Sequence, residues 1–133
     1  MRIKIVINYN DGGGGNFLPD NPMPGGGGDD YALHATTTFL VSSDQAGIWT
    51  FATNTDDGSR LTIDGQVVIN DDVLAPPHNA FGTFNLSAGV HTLDLVYFER
   101  GGGASVELFA APGDKGNTFD SDFKLVGDDA CHR

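Results

Sequence analysis

Apolar and polar residues alternate with a period of two along most of the chain. Within residues 89–99, Leu93, Leu95 and Tyr97 fall on one face. Because successive side chains of a strand point to opposite faces of a sheet, this pattern predicts strands buried on one side. Alternation, or an abundance of β-branched residues, marks residues 2–8, 32–43, 47–54, 60–70, 80–87, 89–99, 104–111 and 123–127. No segment keeps a helical period over three turns, so the sequence predicts an all-β fold, an antiparallel β-sandwich or barrel.

The clearest turn signal is Asp64-Gly65, a pair of residues that tolerates the positive φ angles of a tight hairpin turn. The length of this turn decides which side chains of the second strand are buried. A three-residue loop would bury Val67 and Ile69, whereas a two-residue loop would bury Val68 instead.

Residues 10–30 interrupt the alternation with two runs of four glycines and three prolines. Such a segment cannot form a central strand or a helix, so we expect a surface loop there. A shorter loop is expected at residues 111–123, and a short tail at 127–133. At this length we expect residues 1–133 to form a single domain.

Charge narrows the range of partners. The chain of 133 residues carries 7 Lys and Arg against 18 Asp and Glu, a formal net charge of −11. Such an acidic surface repels nucleic acid and anionic membranes, and it favours divalent cations or neutral ligands. We therefore expect no nucleic-acid partner.

No apolar stretch is long enough for membrane insertion. The N-terminus lacks the features of a signal peptide, which suits an intracellular chain or a segment of an exported one.

Several familiar catalytic and metal-binding patterns are missing. Neither glycine run is followed by the lysine of a phosphate-binding loop, and Cys131, the single cysteine, cannot form an internal disulfide. The four histidines share no metal-ligand spacing, and no nucleophile elbow is present. Around Gly58, two of the positions that an EF-hand needs are threonines. We therefore expect a protein that is not an enzyme.

The adjacent acids Asp56 and Asp57 have two interpretations. They lie before Gly58 between two alternating segments, so their carboxylates could simply cap a turn. Alternatively, they could be two arms of a metal site. Neighbouring side chains of an extended strand point apart, so both could reach one ion only if the backbone bent sharply between them.

The order of motifs over residues 47–112 resembles the protective-antigen (PA-fourteen) domain family, which recurs in bacterial toxins and adhesins and in yeast flocculins. The matching elements are GIWTF, TDDGSRL, the IDG hairpin, LSAGVH and the YFERGGGA loop. The resemblance implies a β-sandwich in which a cis peptide joins the two aspartates. It also implies that both carboxylates bind one Ca²⁺ ion, to which a sugar adds adjacent hydroxyls.

The resemblance further implies that a second loop completes the calcium site. The metal ligands mapped in this way are Asp56, Asp57, Glu99, Gly101 and Gly103, the glycines through their carbonyls. We expect the sugar to lie against Asp56, Asp57, Arg100, Gly102 and His78. Glu99 departs from the asparagine of the yeast adhesins, so it could add a third charge to the site or point outward at the end of its strand.

Two functions remain at this point. The first is a calcium-dependent carbohydrate-binding module for glycans or cell-surface carbohydrate, located outside the cell or on its surface and possibly linked to neighbouring domains. The alternative is a non-catalytic structural or assembly module of an exported protein, in which the aspartate loop is only a stabilising turn or a structural calcium site.

Overall fold

The computed structural model describes residues 7–11, 16–17, 31–99 and 104–126. These residues form nine strands and a short 3₁₀ turn at Ser43–Gln45, with no α-helix among them. The strands are β1 (Asn8–Asp11), β2 (Tyr31–Val41), β3 (Gly47–Asp56), β4 (Gly58–Ile63), β5 (Gln66–Asp71), β6 (His78–Leu86), β7 (Gly89–Glu99), β8 (Ala104–Pro112) and β9 (Lys124–Leu125).

The described strands pair into two antiparallel sheets. One has the order β2-β7-β4-β5, and the other has the order β1-β8-β3-β6, with β9 also pairing with β8. The sheets pack face to face, which confirms the predicted antiparallel β-sandwich. Non-consecutive strands lie side by side, so residues far apart in the sequence meet at the ends of the sandwich.

The core lies between the sheets and follows the alternation of the sequence. Phe51, Leu61, Leu95 and Val106 each have no exposed surface and belong to one apolar cluster. Burying a side chain of this size contributes roughly 1.5–3 kcal/mol. A second cluster covers the outer face of the sheet that contains β3, and its buried members are Ala52, Phe109, Ala111 and Phe123. Strand β3 is therefore packed on both faces, which fixes the position of its C-terminal end.

The hairpin between β4 and β5 turns at Asp64 and Gly65, whose φ angles are 51° and 80°. It is a two-residue turn, yet the strand register shifts between Leu61 and Thr62, so that Leu61 lies opposite Ile69. Ile69 is 3% exposed and Val67 is 58% exposed. A β-bulge therefore buries Ile69 without Val67, an outcome that neither loop length alone predicts.

Two N-terminal expectations need correction. Strand β1 includes Asn10 and Asp11, which were expected to begin the long loop, because these residues pair with Ser105 and Ala104 of β8. The strand expected at residues 2–8 overlaps β1 only at Asn8, and its residues 2–6 lie outside the described part of the chain. β1 is an edge strand of its sheet among the described strands.

Candidate metal centre

Strand pairing brings three carboxylates together at one end of the sandwich. Asp56 ends β3, Asp57 links it to β4, and Glu99 ends β7. Because Gly58 of β4 lies opposite Phe98 of β7, the two chain segments meet at this point. One carboxylate oxygen from each acid lies within 4.8 Å of the others. The Asp56-Asp57 peptide is cis, as the resemblance implies.

The acidic cluster of Asp56, Asp57 and Glu99 is largely withdrawn from solvent. Asp57 is 6% exposed and Glu99 only 2%. Glu99 therefore faces inward, and the expectation that it could point outward at its strand end is wrong. Burial and, after it, the charge of Asp57 raise the pKa of Asp56, whereas the nearby His78 acts in the opposite direction. A bound cation would offset the repulsion between the Asp56 and Asp57 carboxylates. Carboxylate oxygens are hard donors, which are the ligands that Ca²⁺ prefers.

The backbone around the aspartates is held by contacts from neighbouring strands. The Tyr97 hydroxyl donates a hydrogen bond of 2.5 Å to the carbonyl of Asp56. The Thr55 hydroxyl donates to the carbonyl of Asp57 at 2.9 Å. The Asp57 N–H donates to the carbonyl of Phe98 at 3.3 Å. The aspartate turn is therefore fixed from β7 as well as from its own strand.

Residues 72–77, which we call the rim loop, connect β5 to β6 beside the acidic cluster. The Ala75 N–H donates to Oδ1 of Asp57 at 3.1 Å. At the end of the loop, His78 contacts the Asp71 carboxylate through Nε2 at 2.5 Å and the Pro76 carbonyl through Nδ1 at 2.8 Å. Burial lowers the pKa of His78, but these hydrogen bonds outweigh it and raise the pKa overall. Hydrogen bonds therefore hold the rim loop in place at both ends and in the middle.

The predicted site residues therefore divide into three groups. Asp56, Asp57 and Glu99 form the acidic cluster. His78 begins β6 near the cluster, with both ring nitrogens already engaged by the protein. The predictions for Arg100, Gly101, Gly102 and Gly103 lie outside the described residues.

Sequence reasoning missed the supporting contacts. Tyr97 looked like an ordinary core position of β7, although it lies two residues before Glu99 on the same face of the strand. That spacing was the available signal for its role. The Ala75 N–H gave no signal, because a backbone donor is independent of residue type and its partner Asp57 lies 18 residues away.

Another buried acid, Glu107, lies outside the acidic cluster and serves a different purpose. It is 2% exposed and accepts hydrogen bonds from the Asn16 N–H at 2.7 and 2.9 Å and from the Phe17 N–H at 2.8 Å. The Asn16 side chain also donates to Oδ1 of Asn79 at 2.7 Å. Glu107 therefore anchors part of the glycine-rich segment to the sheet, whereas the three clustered acids face one another.

The fold and the acidic cluster define a β-sandwich domain with a candidate cation site at one end. A match to the PA14 domain spans residues 4–126, so the chain belongs to the PA14 domain family. No curated protein matches the chain significantly. Among the residues described, no helix is long and apolar enough to cross a membrane.

Solved structures share the fold at low sequence identity. An anti-sigma factor domain-containing protein is 22% identical with a TM-score of 0.66, over 94% of this chain and 39% of that one. The PA14 sugar-binding domain from an RTX adhesin is 20% identical with a TM-score of 0.65, over 92% and 72%. The PA14 domain of the MpAFP antifreeze protein is 16% identical with a TM-score of 0.63, over 90% and 67%.

The chain spans well under half of the first of these structures. A similar protein from Clostridium clariflavum, also an anti-sigma factor domain-containing protein, is matched over 37% of its length at 22% identity and a TM-score of 0.62. The fold therefore occurs in these proteins as one part of a longer chain.

Proposed function

We propose that this chain is a calcium-dependent carbohydrate-binding module. The observation that carries the proposal is the convergence of three largely buried carboxylate side chains, from Asp56, Asp57 and Glu99, within 4.8 Å. Carbonyls of Gly101 and Gly103 are the proposed additional ligands. Ca²⁺ takes six to eight oxygens, so three carboxylates and two carbonyls leave room for ligand hydroxyls.

In this proposal, bound Ca²⁺ supplies a centre that accepts hydroxyl oxygens of a neutral sugar. The chain's own residues place and orient the carboxylates, and the hydrogen bond from Ala75 to Asp57 links the rim loop to them. Arg100, Gly102 and His78 are the proposed neighbours of the sugar. The net charge of −11 favours a neutral ligand over an anionic one.

The family match and the similar solved structures support a carbohydrate-binding role in general. PA14 domains are mostly binding modules, and one similar structure is described as a sugar-binding domain of an adhesin. We accordingly propose a non-enzymatic module of a protein outside the cell or on its surface. We further propose that residues 1–133 form a single domain, joined to neighbouring domains in a longer protein.

The metal part of the proposal is tested by thermal unfolding with increasing Ca²⁺. A ligand of the native state alone stabilises it, so the wild-type Tm should rise. Asp57→Asn keeps the size of the side chain but removes a charged ligand, and it should abolish the rise. Asp114→Asn is a matched control, because Asp114 is exposed and outside the acidic cluster. An unchanged calcium response in Asp57→Asn would rule out this site.

The carbohydrate part is tested on a glycan array with and without chelator. Binding that disappears with chelator supports the module as proposed. Calcium stabilisation without any glycan binding would favour the second candidate, a structural or assembly module with a structural calcium site. That candidate draws support from the fold's occurrence as a part of anti-sigma factor domain-containing proteins.

A further inference from the structure

We propose that the rim loop makes this site selective for sugars that carry a methyl group near a pair of adjacent hydroxyls. The methyl group can belong to a 6-deoxyhexose or to an N-acetyl substituent. Leu74 is the specificity-determining residue, assisted by Val73. This inference rests on the proposed function and adds the chemical class of the sugar to it.

The first observation is an apolar pair in an acidic setting. Leu74 is 64% exposed and Val73 is 43% exposed, so both side chains present apolar surface to solvent. They follow Asp71 and Asp72 directly in the sequence. Exposing two adjacent aliphatic side chains contributes nothing to the core, so their surface is available to a ligand.

The second observation is the distance from this pair to the acidic cluster. The Ala75 N–H lies 3.1 Å from Oδ1 of Asp57, and Leu74 supplies the other half of that peptide group. Standard bond lengths then place the Leu74 Cα within about 6 Å of this carboxylate oxygen. A monosaccharide ring with its substituents is about this wide, so one sugar can reach the cluster and Leu74 together.

The third observation is that the rim loop is held in place. His78 contacts Asp71 on one side and the Pro76 carbonyl on the other, which closes the loop. Pro76 and Pro77 further restrict the backbone. A loop fixed in this way loses little conformational entropy when a ligand binds, so a small apolar contact can contribute to affinity.

These features together demand a ligand with two unlike ends. Adjacent hydroxyls suit the oxygen-lined cluster, whereas an aliphatic side chain gains from excluding water against a methyl group. A hexose with a hydroxymethyl group instead leaves a polar substituent against Leu74. One methyl contact on a partly open surface should favour the methyl-bearing sugar roughly 3- to 10-fold.

Matched sugar pairs test the inference by calorimetry with the calcium-loaded full chain. L-fucose and L-galactose, or L-rhamnose and L-mannose, differ only at C6, and N-acetylglucosamine and glucose differ by the acetamido group. We expect the wild type to prefer the methyl-bearing member of at least one pair. The pair that shows the preference distinguishes a deoxy methyl from an acetyl methyl.

Leu74→Ser should remove this preference by weakening binding of the methyl-bearing sugar, while leaving calcium affinity unchanged. Val90→Ser is the matched control: Val90 is 71% exposed but is the second residue of β7, whereas Glu99 of the cluster ends the same strand. Equal affinity for both members of every pair, or a preference that survives Leu74→Ser, overturns the inference but leaves the proposed function intact.

Two further outcomes would also overturn the inference. Calcium binding without binding of any sugar contradicts the proposed function as well. Self-association of the wild type that Leu74→Ser abolishes, measured by analytical ultracentrifugation, would instead assign the apolar pair to a contact between copies of the chain.

Discussion

At the scale of single residues, the candidate site depends on partners that lie far away in the sequence. Asp56 and Asp57 alone fit a turn as well as a metal site, and the resemblance to a family supplied Glu99. The structure adds that Glu99 is buried beside both aspartates. It also adds the hydroxyl of Tyr97, whose partner Asp56 is 41 residues away. The spacing of Tyr97 and Glu99 shows that they share a face of β7, but their partners Asp56 and Asp57 follow only from the pairing of distant strands.

The structure predicts that position 58 tolerates only glycine. A Cβ there would lie 2.4 Å from the Asp71 carbonyl oxygen and 2.5 Å from the Phe98 ring. Gly58→Ala should therefore lower the free energy of unfolding by about 2–3 kcal/mol, because backbone cannot move aside cheaply. The change should also weaken calcium binding, since Gly58 follows Asp57. Denaturant unfolding with chelator measures the first effect, and a calcium titration the second.

Gly47→Ala provides a comparison for Gly58→Ala. A Cβ at Gly47 would meet nothing within 4 Å, although its φ of 129° is unfavourable for other residues. Gly47→Ala should therefore lose stability only through backbone strain, and its calcium response should match that of the wild type. Equal stability of Gly58→Ala and the wild type would contradict the steric argument.

At the scale of elements, the alternation of apolar and polar residues located most strands. Strand pairing in the folded structure determined the strand ends and the bulge that alternation did not predict. The turn at Asp64-Gly65 was predicted because its residues favour positive φ. The bulge that buries Ile69 was not, because it serves the packing of β5 against the opposite sheet. Likewise Asn10 and Asp11 have low strand propensity, and only their pairing with β8 makes them part of β1.

The β4–β5 turn is joined to β7 by a charged pair that makes stability depend on pH. His91 is buried and stacks on Phe39, its Nδ1 lies 2.5 Å from Asp64, and its Nε2 contacts the Ser87 carbonyl. Burial lowers the pKa of His91, but the hydrogen bonds raise it overall. Burial raises the pKa of Asp64, but its hydrogen bonds to His91 and Thr92 outweigh burial and lower the pKa overall.

The contribution of this pair should therefore peak at mildly acidic pH. A raised His91 pKa gives stability that is present below about pH 6.5 and lost as pH rises through the folded-state value. A lowered Asp64 pKa gives stability that is present above about pH 4 and lost as pH falls through its folded value. The loss of unfolding free energy in His91→Gln should be larger near pH 5 than at pH 9.

Denaturant unfolding of the wild type and His91→Gln at both pH values measures this difference. Adding Asp64→Asn completes a double-mutant cycle, whose coupling should also shrink at pH 9. A loss that is the same at pH 5 and pH 9 would show that the charge of His91 does not contribute to stability, and that only its packing and neutral hydrogen bonding do.

At the scale of the whole molecule, two electrostatic effects act on the same chain and must be separated. The net charge of −11 makes the folded chain repel itself, so any salt should stabilise it by screening. A specific site adds a second effect that depends on the identity of the cation. The acidic cluster holds only three of the 18 acidic residues, so most of the general effect arises elsewhere.

Background salt and a second divalent ion separate the two effects. In roughly 0.2 M NaCl the Debye length is already below about 10 Å, so a millimolar divalent salt adds almost no further screening. Ca²⁺ at about 100 times its Kd should still contribute about 2.7 kcal/mol and raise the Tm by roughly 10 °C. Mg²⁺ should raise it much less, because it dehydrates reluctantly and demands a tight octahedral shell. Equal shifts from both ions, or a calcium shift that NaCl removes, would mean that Ca²⁺ acts on the charge of the whole surface, and the three converging carboxylates would then have no special affinity for calcium.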